Sequence, residues 1–204
     1  MDGTLLDLNF DNHFWQEHVP LRYAQLHNIE IEAAREVLYP KFRSAEGTLD
    51  WYCVDYWSSE LGLDIPKLKI EVNHLIAIHP HVVDFLEAVK NSGRRLLLAT
   101  NAHVKSLDIK MEQTQLAGHF DKLVVSHDLG YPKESHDFWE KLKSVEPYEE
   151  TSTLLVDDSL PVLRAAKDYG IKHLLAIRKP DSQQVEKDVG EFEAIYHFSD
   201  IMPA

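Results

Sequence analysis

Leu154-Leu155-Val156-Asp157-Asp158-Ser159 is a short apolar run that stops abruptly on two adjacent carboxylates. Thr151 to Val156 reads as a strand buried on both faces, because its core has consecutive rather than alternating apolar residues. Working backward, Arg95 to Thr100 repeats the pattern, with Leu96-Leu97-Leu98-Ala99 ending on Thr100-Asn101. Lys122 to Ser126 is a third such strand, followed by the loop Gly130-Tyr131-Pro132-Lys133. His81–Asn91, about His103 to Gln115, and Glu134 to Val145 read as helices. Working forward, Pro161 to Tyr169 is a helix stopped by Gly170, and His173 to Ile177 is a strand. Asp181 to Asp188 is expected as a helix and Ala194 to Phe198 as a last short strand. Strand and helix alternate throughout, which predicts an α/β fold with a doubly wound parallel sheet. Polar residues that close its strands lie where such sheets bind ligands, at the carboxyl ends near the switch point. Thr100, the Lys133 loop and Asp157-Asp158 all hold such places.

The front of the chain has a different texture. Met1-Asp2-Gly3-Thr4 is a turn signal, and from Asp11 to about Ile78 the pattern is helical. Phe14, Trp15, Val19 and Leu21 to Leu26 follow helical spacing, with an interruption expected at Pro20. Glu30 to Val37 predicts a helix ended by Pro40. Asp50 to Leu61 predicts another, with Trp51, Val54, Tyr56-Trp57 and Leu61 at three- and four-residue steps and Gly62 as its stop. Pro66 to Ile78 predicts a fourth. Aromatics at helical spacing are usually buried, so Trp51 to Trp57 is expected as the core of this block rather than a base-stacking platform.

Composition narrows the function classes. The 204 residues carry a formal net charge of −13. That disfavours a nucleic acid polymer, whose binding rests on Lys and Arg neutralising phosphates. A small phosphorylated ligand is compatible with it, since a divalent cation and a few placed donors reverse the field locally. Cys53 is the sole cysteine, which leaves no disulfide framework and no thiolate metal cluster. No apolar run approaches the ~20 residues of a membrane helix. With no signal peptide before the first motif, a cytoplasmic protein is expected. The histidines, including His79-Pro80-His81, lack zinc-ligand spacing and are expected in loops or at the surface.

Asp2-Gly3-Thr4, then Thr100, then Lys133, then Asp157-Asp158, in that order, resembles the haloacid dehalogenase superfamily of phosphohydrolases. The resemblance implies a Rossmann-like core of residues 1–12 and 80–204 and an inserted helical cap of residues 13–79. It implies Mg²⁺ as cofactor, held by Asp2, Asp157 and Asp158. Asp2 is then the catalytic acid and base, and Thr4, Thr100, Asn101 and Lys133 serve the phosphorylated substrate. Carboxylates that would otherwise repel suit a hard divalent cation. Their competing reading is a helix-start pair, since Asp favours helix N-termini. Dehalogenation also uses an aspartate nucleophile, but it needs neither a second acid two residues on nor Mg²⁺.

The superfamily's first motif reads Asp-x-Asp-x-Thr at the end of an apolar strand. Asp2 and Thr4 match its last two fixed positions and Met1 its first x, so the nucleophilic Asp and the first core strand are expected ahead of Met1. The 204-residue chain itself is then expected to be inactive. The alternative is a non-catalytic phosphate-binding or interaction module of the same fold. Asp11-Asn12-His13-Phe14-Trp15 and the Trp51 to Trp57 run resemble bacterial purine nucleotidases. That implies a nucleoside monophosphate substrate, with Asn12, His13 and Trp15 as substrate-side candidates.

Overall fold

The computed structural model describes residues 1–203. After a turn over residues 2–5, the chain enters helices α1 (Asn9–His13), α2 (Val19–His27), α3 (Ile31–Ala45), α4 (Leu49–Tyr52), α5 (Val54–Leu61) and α6 (Ile65–Glu71). The second half alternates: α7 (Val82–Asn91), β1 (Leu97–Thr100), α8 (Val104–Thr114), β2 (Lys122–Val125), α9 (Ser126–Leu129), α10 (His136–Val145), β3 (Leu154–Asp157), α11 (Leu160–Tyr169), β4 (His173–Ile177) and β5 (Ala194–Ile195). No helix among the described residues is long and apolar enough to cross a membrane.

All strand pairings are parallel. β1 pairs with β2 in the register Leu97–Lys122 to Thr100–Val125, and β3–β4–β5 form a second ladder. Side chains alternate between faces. Leu98 and Val125 join α7 and α8 on one side, while Ala99 and Val124 join α10 and α11 on the other. β3 divides the same way, with Val156 on the first side and Leu155 on the second. The sheet is therefore wound on both faces. It is also divided: among the described residues, β1 and β3 each keep one edge without a ladder partner.

The helical block departs from sequence expectation at its prolines. Pro40 does not end a helix, because α3 runs through it to Ala45. Proline removes one backbone hydrogen bond, but Leu38, Phe42 and Ala45 bury the helix face on either side. Pro20 does not interrupt either. It falls in the first turn of α2, directly after a widened π turn over Phe14–His18, where a missing N–H is tolerated. The helix expected over Asp50–Leu61 is split instead. Cys53 is extended (φ −85°, ψ 107°) and caps α5, its Sγ accepting from the Tyr56 N–H at 3.4 Å. The helix expected over Pro66–Ile78 closes at Glu71 and is followed by a single 3₁₀ turn at Asn73–Leu75.

At the other end, Asp181–Asp188 forms no regular helix. The Asp181 carboxylate accepts from the Gln183 N–H at 2.8 Å, and Ser182 N–H donates to Asp7 at 3.0 Å. Such local bonds give the backbone an alternative to the helix. The last strand is only Ala194–Ile195, and Phe198 starts a 3₁₀ turn. One apolar cluster runs from Phe14, Phe42 and Trp57 in the helical block through Leu5, Leu6 and Phe10 to Leu98, Ile177 and Phe198. The turn after Met1 is thus packed between the block and the sheet.

Candidate active site

A cavity of about 620 Å³ opens over the carboxyl ends of β1 and β3. That volume lies within the range of small-molecule sites. Met1, Asp2, Thr100, Asn101, Lys133, Asp157 and Asp158 form its floor, brought together from four separate stretches. Each arrives by a local rule. Thr100 and Asp157 are the last residues of their strands, and both are buried. Thr100 Oγ1 accepts the Ala102 N–H at 3.1 Å, and Asp157 Oδ1 accepts the Ser159 N–H at 3.0 Å. These two bonds turn the chain away from the sheet and leave the strand ends facing the cavity.

Lys133 lies 2.5 Å from Asp157, Nζ to Oδ2, in a buried ion pair. Burial pulls the lysine down, but Asp157 outweighs it and raises the ammonium above its usual range. The same pairing overcomes burial at Asp157 and holds that carboxyl low. Asn101 fixes the loop: its Oδ1 accepts the Lys133 N–H at 2.9 Å and its amide donates to Glu134 at 2.8 Å. Tyr52, from the helical block, donates to the other oxygen of Glu134 at 2.5 Å. A continuous chain of bonds therefore joins α4 to the Lys133 loop.

Asp158 is differently placed. Among the described residues no lysine or arginine side chain pairs with its carboxylate. Thr4 Oγ1 donates to its Oδ1 at 3.3 Å, and Lys187 Nζ donates to its backbone carbonyl at 2.8 Å. Burial and the neighbouring Asp157 push the Asp158 carboxyl up to about 6. Thr4, expected to face the substrate, is buried behind Asp158 and does not line the cavity. Its hydroxyl serves the carboxylate instead. Gly3 has φ +70°, and a Cβ there would stand 2.6 Å from Asp158 Cγ. Only glycine fits that contact and that backbone angle. Gly3→Ala should cost about 1–3 kcal/mol of stability through strain and the displaced carboxylate. A thermal melt unchanged by the substitution would refute this.

Sequence reasoning missed a second set of charges on the same cavity. Lys110 Nζ, almost fully buried, lies 2.7 Å from Asp2 and 2.6 Å from Asp11. Lys69, also buried, donates to the other oxygen of Asp11 at 3.0 Å and sits 4.4 Å from the Phe14 ring centroid. Burial would raise Asp11, but Lys110 and Lys69 outweigh it and hold its carboxyl at about 2. Burial lowers Lys69. For Lys110 it is outweighed by Asp11 and Asp2, and the ammonium is raised. The signal was present in the sequence: Lys110 lies beside Leu107 and Met111 on the buried stripe of α8, and Lys69 beside Ile65 and Leu68 on that of α6. Of the early substrate-side candidates, Asn12 and Trp15 line the cavity and His13 does not. The Asn12 amide is committed to Asp181 at 2.6 Å.

Asp2, Asp157 and Asp158 bring carboxylates to one end of the cavity and could hold a hard cation there; Asp2 is paired with Lys110 and Asp157 with Lys133, while among the described residues no lysine or arginine pairs with the Asp158 carboxylate. Mg²⁺ takes such ligands and keeps several waters.

Comparison with known proteins shows the family. Two curated proteins, the GMP/IMP nucleotidases YrfG of Escherichia coli (strain K12) and of Shigella flexneri, are each 38% identical over all of this chain and 92% of their own length. Among solved structures, the HAD phosphatase from Thermococcus onnurineus aligns with a TM-score of 0.80 at 20% identity, covering 98% of this chain and 92% of that one. The HAD-hydrolase YfnB from Bacillus subtilis, bound to magnesium, aligns at 0.69 and 17%, covering 98% of this chain and 93% of its own. The profile of the haloacid dehalogenase-like hydrolases matches residues 1–176, and the chain belongs to that family.

Proposed function

We propose that this haloacid dehalogenase-like phosphohydrolase is a Mg²⁺-dependent 5′-nucleotidase for purine nucleoside monophosphates. The observation that carries the proposal is the convergence of Asp2, Thr100, Asn101, Lys133, Asp157 and Asp158 on one cavity at the ends of β1 and β3. The YrfG relatives, named as GMP/IMP nucleotidases, support the choice of substrate. In this proposal residues 13–79 act as the cap over a core of residues 1–12 and 80–204. The unpaired Cys53 supports a reducing, cytoplasmic setting.

Asp2, Asp157 and Asp158 would hold the ion, which when bound neutralises phosphoryl charge so that an anionic nucleophile can approach. Asp2 delivers a proton to the leaving ester oxygen and afterwards takes one from the attacking water. Thr100 and Asn101 hold phosphoryl oxygens by hydrogen bonds. Lys133 supplies a fixed positive charge, and its pairing with Asp157 keeps it aimed at the floor. The nucleophile this proposal requires is the first aspartate of the Asp-x-Asp-x-Thr motif, of which Asp2 and Thr4 match the last two fixed positions. It gives an aspartyl-phosphate that water then hydrolyses. By this reading residues 1–204 alone bind phosphate esters but turn them over poorly.

The test is phosphate release from a panel of phosphate esters by a chain extended to include that aspartate, with Mg²⁺ or with chelator. GMP and IMP should be the best substrates, and chelator should stop turnover. Asp158→Asn should remove the metal-dependent rate by about 10³-fold or more. Equal turnover with and without chelator, or in Asp158→Asn, would overturn the metal assignment. A folded extended chain that binds phosphate and never releases it would instead favour the non-catalytic phosphate-binding module.

A further inference from the structure

The cavity has a second end whose chemistry differs from its floor. From α1 into the π turn, Leu8, Asp11, Asn12, Trp15 and Gln16 line it at helical spacing. From α3, Tyr39, Phe42 and Arg43 line it at steps of three and four, and Glu46, the extended residue that closes the helix, lines it as well. Residues so spaced share one helix face. The order along the cavity follows from contacts. Asp11 is joined through Lys110 to Asp2 on the floor. Trp15 lies one turn further on, and its ring meets Phe42 edge-on at 5.6 Å. Phe42 in turn meets Trp51 at 6.3 Å. Arg43 and Glu46 follow Phe42 to the rim. Charged floor, aromatic belt and polar rim thus succeed one another.

The rim charges are uncommitted. Arg22, Arg35, Arg95 and Arg164 are each tied to a glutamate. Arg43 and Glu46 make no ion pair or side-chain hydrogen bond among the described residues, with each other or with anything else. Both are exposed while lining the cavity.

We propose that the Trp15–Phe42–Trp51 belt receives the nucleobase and that Arg43 and Glu46 select a 6-oxopurine. This rests on the nucleotidase reading and adds the residues that discriminate among bases. A guanidinium donates to the O6 and N7 acceptors of a 6-oxopurine, as it does to guanine elsewhere. The carboxylate of Glu46 accepts from its N1–H. Adenine reverses both groups on that edge, with an amino donor at C6 and an acceptor at N1. It would set donor against donor and acceptor against acceptor, and mismatched polar groups are what reject a near-isostere.

Binding tests this without turnover. The 204-residue chain is titrated calorimetrically, with Mg²⁺, against GMP, IMP, AMP, ribose 5-phosphate and inorganic phosphate. GMP and IMP should bind about tenfold or more tighter than AMP, and all three tighter than ribose 5-phosphate. Arg43→Ala and Glu46→Ala should bring GMP and IMP to the AMP level and leave ribose 5-phosphate unchanged. Neither side chain is committed to the fold, so both variants should melt with the parent. Equal affinity for GMP and AMP, or variants that keep the preference, would overturn the base-selection proposal alone. Nucleotides that bind no tighter than ribose 5-phosphate, or no binding by any ligand, would overturn the nucleotidase reading and this proposal with it.

Discussion

Extending this chain ahead of Met1 by an apolar strand that ends in aspartate is expected to raise GMP hydrolysis by about 10⁴–10⁶-fold over residues 1–204. The sheet supplies the physical argument. β1 and β3 end at the same cavity, yet each keeps an edge unladdered among the described residues. A buried parallel strand normally satisfies its backbone groups on both sides. A strand between them would pair with both edges and deliver its last residue beside Asp2, Lys133 and Asp157. The added pairing and apolar burial should raise the melting temperature by about 5 °C or more. Changing only the added aspartate to asparagine separates the two effects, since that chain should keep the thermal gain and lose the turnover. If residues 1–204 hydrolyse GMP as fast as the extended chain, the aspartyl-phosphate route is wrong.

Lys110→Met should destabilise the fold by about 3–5 kcal/mol, measured by urea unfolding. The ammonium is enclosed between Asp2 at 2.7 Å and Asp11 at 2.6 Å. Removing it leaves two carboxylates facing each other, with Lys69 the remaining cation on Asp11. Adding Asp11→Asn should return part of the loss, because a neutral amide has less charge to leave uncompensated. The pH dependence has a definite sign. Asp11 is depressed from 3.8 to about 2 in the folded chain, so its contribution is complete above about pH 4 and fades as pH falls toward 2. The gap between parent and Lys110→Met should therefore be widest near neutrality and narrow in acid. A loss below about 1 kcal/mol at pH 7 would mean that the four-charge network is not a structural tie.

Much of this was legible in the sequence because the deciding features are local. Consecutive apolar residues marked β1, β2 and β3, and their alternation with amphipathic helices marked the winding. Asp157 and Thr100 sit at strand ends, so locating the strands located them as well; the Lys133 loop follows β2 only after the short helix α9. The helical block was harder. Pro20 and Pro40 are strong breakers in isolation, yet Pro20 falls in the tolerant first turn of α2 and flanking burial carries α3 past Pro40. Cys53 gave no warning of the break between α4 and α5, which is set by its own backbone angles and the cap it forms.

What the sequence alone determined is the order of chemistry along the chain: acid, hydroxyl, ammonium and paired carboxylates, each fixed by its neighbours. What tertiary structure decided is which charges share a cavity. Lys69, Lys110, Tyr52 and Glu134 belong to no local motif. Lys69, Lys110 and Glu134 reach Asp11, Asp2 and Asn101, and Tyr52 reaches Glu134, across separations of 33 to 108 residues in the chain. Packing alone sets those distances. A buried lysine on an apolar stripe needs a counter-charge nearby, but only the folded chain specifies which aspartate provides it.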